Sequence, residues 1–211
     1  VYKRQQLQES VESSMLDNTT LGEFLQSNSA PSMSERMPIL LLGELANPFQ
    51  LSRLKLGVIP VINVRLQGLC RTYADGLDAR MISPGVHHIT LARTSGWWET
   101  THLGFATLQQ MKKMIEWLNN GRHGDWRPVK PGEGQIRIEN ISQLRLPAVE
   151  SLSWDGKNEA CTETEPEPNG PSFDISKVMV PIHTKQGCYD SRGKLIRCLL
   201  YTSPSPRDLD L

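Results

Sequence analysis

The sequence lacks the short motifs that mark most enzyme classes. It contains no G-x-S-x-G nucleophile elbow, no P-loop, no G-x-G-x-x-G dinucleotide fingerprint and no H-E-x-x-H zinc motif. Each of these motifs supplies a geometry that its chemistry requires, so the sequence offers no starting point for those reactions. We therefore predict no catalytic residues and no cofactor, and the sequence favours a protein that is not an enzyme.

Long apolar runs are also missing. The longest, Ile39–Leu42, is far shorter than the roughly 18 apolar residues that a membrane-spanning helix needs. We therefore expect no membrane span and no membrane partner.

Cysteine is scarce and follows no pattern. Between residues 6 and 197 the cysteines are Cys70, Cys161 and Cys188, an odd number without C-x-x-C spacing. This argues against a disulfide framework and against a zinc knuckle. Reduced cysteines favour the cytoplasm, although the sequence leaves the localisation otherwise unknown.

The two ends of the chain share an unusual relationship. Codons for Val1–Gln5 and for Cys198–Thr202 can be written on opposite strands of one short DNA. The pair resembles a translated transposase-type sequencing adapter, and Ser203–Asp208 continues it. We expect residues 1–5 and 198–211 to be artefacts of this kind, which leaves 6–197 as the native reading frame.

Charged residues are unevenly distributed, although the formal net charge is +0. Residues 6–50 carry six acidic residues and one basic residue, whereas residues 52–146 carry thirteen basic and seven acidic residues. Residues 147–197 return to an acidic excess, with eight acidic against six basic. A basic middle between acidic flanks permits an anionic partner, and it equally permits flanks that fold over the middle.

The centre of the chain alternates polar and apolar residues with period two. Ile62, Val64 and Leu66 alternate with polar residues, Gly68 breaks or bulges the strand, and Asp75-Gly76 has the composition of a hairpin turn. We interpret Thr94–Phe105 as a loop or irregular strand. The pattern predicts four or five strands: Val61–Gln67, Leu69–Ala74, Leu77–Ile82, Val86–Arg93 and, further along the chain, Gln135–Ile141.

A helix follows these strands at Thr107–Asn119. Thr107 and Gln110 have the spacing of a capping box, and Asn119-Asn120-Gly121 provides a stop. The predicted apolar stripe consists of Leu108, Met111, Ile115 and Leu118. We therefore predict an α+β fold: an antiparallel four- to five-stranded meander covered by one main helix, with loosely structured or disordered ends.

Composition divides the chain into a core and its flanks. Glutamate, proline and glycine dominate residues 151–173, which have too few apolar side chains to offset the entropy of ordering. The predicted segments are an acidic N-terminal segment and linker at 6–37, an α+β core domain at 38–150, a disordered linker at 151–173, and a possible truncated hairpin at 174–197.

Arginine and tryptophan suggest a binding surface. Arg65 and Arg80 are predicted on the polar faces of their strands, and Trp97 and Trp98 in loops at the sheet edge. Cations that contact phosphates and flat rings that stack on bases are typical of single-stranded nucleic-acid binders. The order β-β-β-β-α is similar to that of small coactivator-type domains that bind single-stranded DNA. The predicted binding residues are Arg65, Arg71, Arg80, Arg93, Trp97, Trp98 and Arg127.

Our main hypothesis from the sequence is non-enzymatic binding. The partner is a protein or a single-stranded nucleic acid, which contacts the basic sheet face beside the edge tryptophans. Replacing Arg65 and Arg80 by glutamate is then expected to preserve the fold and abolish binding.

Histidine clustering supports an alternative hypothesis. The fragment HHITL at 87–91, followed by HLGF at 102–105, resembles the edge-strand signature of the vicinal-oxygen-chelate metalloenzymes. That family has a helix between the two pieces, where this chain has Ser95–Glu99. The resemblance implies a small metal-dependent enzyme that uses His87, Glu99 and His102. The main hypothesis requires no metal.

Overall fold

The computed structural model of the chain describes residues 9, 11–16, 18–73, 89–119, 126–155, 159–183, 190–191 and 194–195. Mostly antiparallel strands combine with a few helices in these ranges, which confirms the predicted α+β class. The strands are β1 Met15–Leu16, β2 Thr19–Thr20, β3 Arg36–Leu41, β4 Val61–Tyr73, β5 Ile89–Thr107, β6 Trp126–Val129, β7 Gln135–Arg137, β8 Leu152–Trp154, β9 Glu159–Cys161, β10 Ser172–Asp174, β11 Val180–His183, β12 Asp190–Ser191 and β13 Lys194–Leu195. The α-helices are α1 Leu21–Ser27, α2 Pro48–Arg53 and α3 Leu108–Asn119. Short 3-10 helices span Met33–Glu35, Gly43–Ala46, Ile141–Gln143, Val149–Ser151 and Ile175–Lys177.

Strands β4 and β5 form the centre of the main sheet. Its strand order is β10-β7-β4-β5-β9-β8, and β3 pairs with the end of β5 on the side away from β4. The pairs are antiparallel except for the parallel contact of β5 with β9, between Ser95 and Ala160. The first two predicted strands are parts of a single strand, because Val61–Gln67 and Leu69–Tyr73 both belong to β4.

The predicted irregularity at Gly68 is a β-bulge. The register of β4 against β5 shifts between Gln67 and Leu69, and Gly68 has φ of +75°, which a residue with a side chain rarely adopts. Thr94–Phe105, interpreted from the sequence as a loop or irregular strand, is part of β5, and the register shift falls within it. The strand predicted at 77–82 and the first residues of the one at 86–93 lie outside the described residues.

The central strands carry different chemistry on their two faces. The first face carries Ile62, Val64 and Leu66, because successive side chains of a strand point to opposite sides. The second face carries Asn63, Arg65 and Gln67. The core on the first face includes Leu25 and Met33 from the N-terminal segment and Phe173, Ile175, Val178 and Val180 from the C-terminal segment.

Helix α3 covers one end of the second face. Met111 and Met114 pack with Ile39, Leu41 and Ala106 there. The predicted capping box is confirmed: the Gln110 amide donates to Thr107 Oγ1 (3.3 Å), and the Thr107 amide donates to Gln110 Oε1 (2.9 Å).

The buried stripe of α3 differs from the predicted one. Leu108 is 56% exposed, so placing it in the core was wrong, whereas Met114 is fully buried and Trp117 packs against the core. The first residue of a helix lies at the edge of the packed surface, which explains why the periodicity of the sequence misplaced Leu108.

The flanking segments lie against the sheet. Residues 159–174 contain β9 and β10, which differs from the prediction of a disordered linker. Strand β11 pairs with β6, a partner that the predicted hairpin did not include. Segments 1–5 and 198–211 lie outside the described residues. In the ranges described, no helix has both the length and the apolar character needed to cross a bilayer.

Substitutions in α3 test which side of the helix is docked. We expect Met114→Ala to lower the free energy of unfolding by about 2–5 kcal/mol, because it leaves a cavity in the core. Leu108→Ala is the matched control and should change it by no more than about 0.5 kcal/mol. Urea denaturation followed by circular dichroism measures both. Equal losses for the two variants would contradict the docking of α3 described here.

Candidate functional site

The second face of the sheet contains a buried arginine. Arg65 lies on β4 opposite Thr100 of β5 and Arg137 of β7, and its side chain is inaccessible to solvent. A guanidinium has five N–H donors that need acceptors when water is excluded. The surrounding residues supply several of these acceptors.

Five side chains form what we call the arginine clasp: Arg65, Gln67, Arg137, Glu139 and Glu165. Nη1 of Arg65 donates to Glu139 Oε1 (2.9 Å), and Nη2 donates to Glu165 Oε1 (2.6 Å) and to the Pro166 carbonyl oxygen (2.9 Å). Gln67 connects Glu165 with Arg137: its Nε2 donates to Glu165 Oε1, and its Oε1 accepts from Arg137 Nε. These bonds join three separate parts of the chain.

Charges balance within the clasp. Arg65 and Arg137 are register partners on neighbouring strands, where like charges repel. Glu139 and Glu165 compensate them, giving two positive and two negative side chains. The Glu139 side chain is 2% exposed and the Glu165 side chain is 35% exposed, so Glu165 is the more solvent-accessible of the two carboxylates. The Nε atom of Arg65 is buried without a hydrogen-bond acceptor.

Glu165 belongs to a segment that we call the strap, residues 162–171. Backbone bonds fix both of its ends: the Thr162 amide donates to the Ser151 carbonyl (2.8 Å), and the Ile138 amide donates to the Pro171 carbonyl (3.0 Å). A Cβ at Gly170 would lie 1.9 Å from the Ile138 carbonyl oxygen, so glycine is needed for this close approach. The strap therefore crosses the clasp between two fixed points.

The strap makes further polar contacts along its length. Glu163 Oε2 accepts from the Ala148 amide (2.9 Å). The Asn169 amide donates to Glu139 Oε2 and its Oδ1 accepts from the Asn140 amide, both at 3.3 Å. The acidic segment thus lies on the basic centre of the sheet, as one of the two interpretations of the charge pattern allows.

The predicted binding residues occupy different environments. The expectation that Arg65 lies on an open face is wrong, because the clasp buries it. The placement of Trp97 and Trp98 in edge loops is also wrong: both lie in β5 and are 2% and 1% exposed. Trp98 Nε1 donates to the Arg145 carbonyl oxygen (2.8 Å).

The other predicted arginines do not form one surface with Arg65. Arg71 bonds to Glu99, whose register partner is Leu66 on the first face. Arg93 pairs with Glu133, and Arg127 is exposed on β6, in a separate two-stranded sheet. Arg80 lies outside the described residues. Sequence reasoning selected Arg65 but missed Gln67, Arg137, Glu139 and Glu165, although period two places Gln67 on the same face as Arg65.

Glu99 has an unusual environment for a carboxyl group. It is fully buried, and its Oε1 accepts from the backbone amide (3.0 Å) and Nε (2.9 Å) of Arg71. Its Oε2 has no hydrogen-bond partner. Burial raises the pKa of Glu99 above its ordinary value, and this effect outweighs the lowering by Arg71 and by the Trp97 side chain.

The ligand set of the alternative hypothesis does not converge. Glu99 and His102 are three residues apart on β5, so they project from opposite faces and cannot share an ion. His87 lies outside the described residues. Within the described ranges, no three His, Cys, Asp or Glu side chains are arranged to hold a metal ion.

Comparisons of the chain with protein-family models, with curated proteins and with solved structures found no match.

Reversing the charge of Arg65 should unfold the protein rather than leave the fold intact. Arg65→Glu leaves Glu139 buried without a counter-charge and adds a further carboxylate, so we expect a loss of about 3–5 kcal/mol in the free energy of unfolding. Arg127→Glu, on an exposed side chain, should change it by no more than about 0.5 kcal/mol. Denaturant titration compares the two variants. A folded Arg65→Glu protein with wild-type stability would show that the clasp is not buried.

The pKa of Glu99 predicts a pH dependence of stability. Because the folded protein holds this proton more tightly than the unfolded chain, its contribution is fully present below the unfolded pKa, near 4.5. The contribution is lost as the pH rises through the folded pKa. The stability of the wild type minus that of Glu99→Gln should therefore fall with rising pH, as measured by denaturant titration at several pH values. A rise of this difference with pH would contradict the assignment.

Proposed function

We propose that this protein is a non-enzymatic binding domain that holds an acidic group of a protein partner on the second face of its sheet. The contact residues are Arg65, Gln67 and Arg137. The observation that supports this proposal is the polar grouping around Arg65, in which Nη2 donates hydrogen bonds to both a carboxylate oxygen and a backbone carbonyl oxygen. A planar guanidinium suits such paired oxygen acceptors, and Arg65 is held in place by the sheet.

The surface beside the clasp is open to a partner. Asn63 and His102 are register partners on the second face, and both side chains are exposed. They lie two residues along the strands from Arg65 and Thr100. A peptide that contacts the clasp can therefore extend along this polar strip without displacing the core.

The burial of Trp97 and Trp98 favours a protein partner over a single-stranded nucleic acid. Sequence-tolerant binding of single strands depends on stacking of bases on accessible aromatic rings. Trp97 and Trp98 are buried in β5, so their rings offer no such platform. A carboxylate ligand requires only the guanidinium and amide donors of the clasp.

A titration with two probes tests the proposal. We expect a fluorescent glutamate-rich octapeptide to bind the full chain at low ionic strength, and a mixed-sequence single-stranded DNA octamer to bind more weakly. Arg137→Gln should weaken peptide binding by about tenfold, because it removes a positive charge from the clasp. Arg127→Gln is the matched control, since Arg127 is exposed and lies outside the clasp.

Two outcomes contradict the proposal. If Arg137→Gln and Arg127→Gln alter peptide affinity equally, binding reflects net charge and not the clasp. If the DNA octamer binds more tightly than the peptide, with a steep dependence on salt, the partner is a nucleic acid.

A further inference from the structure

The strap is held on the sheet by polar contacts. None of residues 162–171 is buried, and none belongs to a hydrophobic core cluster. The contacts between its two ends involve Glu163, Glu165, Pro166 and Asn169. The Glu165 carboxylate, which makes the charge-assisted contact with Arg65, is 35% exposed. Ion pairs that are partly open to solvent are weakened by salt and by competing ions, unlike the packing of apolar side chains. The middle of the strap can therefore separate from the sheet while the core stays intact.

The strap contacts Arg65 as an external peptide can. Oε1 of Glu165 and the carbonyl oxygen of Pro166 both accept from Nη2 of Arg65. This pattern requires a glutamate followed by an available carbonyl, which any extended peptide with an accessible glutamate provides. Proline at the second position has no backbone N–H, so no donor of the strap is left unpaired there.

The charge of the clasp explains why the second face would attract such a peptide after the strap has separated from it. When Glu165 leaves, Arg65 and Arg137 remain as neighbouring cations with Glu139 as the one carboxylate of the clasp. The Nη2 atom of Arg65 then loses both of its acceptors, in addition to the Nε atom that already has none. Buried donors without acceptors are costly, so a replacement carboxylate is favoured.

We infer that the strap is an autoinhibitory segment that occupies the binding face, and that an extended glutamate-containing segment of a partner protein takes its place. This inference rests on the proposed function, because it names the ligand and the regulation of the same site. A closed strap makes the face unavailable to a ligand. The apparent association constant is therefore the intrinsic constant multiplied by the fraction of molecules in which the face is open.

Weakening the strap tests the inference. The probe is a fluorescent synthetic peptide with the sequence Thr-Glu-Thr-Glu-Pro-Glu-Pro-Asn, which copies residues 162–169. Glu165→Gln in the full chain removes the charge that holds the strap to Arg65, so peptide affinity should rise by about tenfold or more. Glu167→Gln is the matched control: the residue is exposed and makes no hydrogen bond to another residue of the described ranges, so affinity should match that of the wild type.

The outcomes separate the inference from the proposed function. If Glu165→Gln leaves peptide affinity unchanged while Arg137→Gln still lowers it, the strap is not inhibitory, and the proposed function of the second face is retained. If wild type and Glu165→Gln both fail to bind the peptide, the proposed function is overturned together with the inference. If Glu165→Gln gains affinity for the DNA octamer and not for the peptide, the strap is inhibitory but the ligand assignment is wrong.

Backbone amide exchange gives a second readout that does not depend on affinity. The Ala148 and Asn169 amides donate to Glu163 and Glu139, so they report whether the strap is closed. We expect saturating peptide to speed hydrogen exchange at both amides, while the Phe105 amide, bonded to the Pro60 carbonyl in the core, stays protected. Unchanged exchange at Ala148 and Asn169 in the peptide complex would overturn displacement of the strap.

Discussion

A guanidinium that is removed from water must find oxygen acceptors, and this requirement organises the second face of the sheet. Arg65 has neighbours on both sides within the sheet, and neither β4 nor β5 supplies a carboxylate to it. The acceptors come from Glu139, just beyond β7, and from the strap. The Glu139 carboxylate is almost fully buried, so its ion pair with Arg65 is costly to break, whereas the Glu165 carboxylate is 35% exposed and its contact is easier to break. The polar face is thus closed by a long-range contact between the basic middle of the chain and its acidic C-terminal part.

The features that were predictable from sequence are those with local causes. The capping box at Thr107 and Gln110 depends on spacing within one helical turn. The alternation of Ile62, Val64 and Leu66 depends on the period of a strand, and the bulge at Gly68 depends on the freedom of glycine. These signals fix the class of the fold, the main helix and the inward face of β4.

The features that were not predictable depend on contacts between distant residues. Trp97 and Trp98 lie where the register of β4 against β5 shifts, so they follow no clear period and their burial leaves no trace in the pattern. The composition of the strap indicates disorder, since it has almost no apolar side chain. The strap is nevertheless held on the sheet by contacts that include the ion pair of Glu165 with the buried Arg65. No local sequence pattern around either residue predicts this long-range contact. The polar character of Arg65 and Gln67 predicted their face, but not whether that face was open.

The fixed ends of the strap make its competition with any ligand intramolecular. Once lifted, its ten residues stay tethered beside the sheet, at an effective concentration on the order of millimolar. A loop of this length closes again within about 100 ns, so the clasp is free of the strap only briefly at each opening. A ligand present at micromolar concentration therefore succeeds only by contacting more of the sheet than the strap does, for example the strip at Asn63 and His102. Under the proposed function, attachment at both ends makes the second face selective for ligands that offer several contacts at once, whatever the affinity of a single glutamate for Arg65.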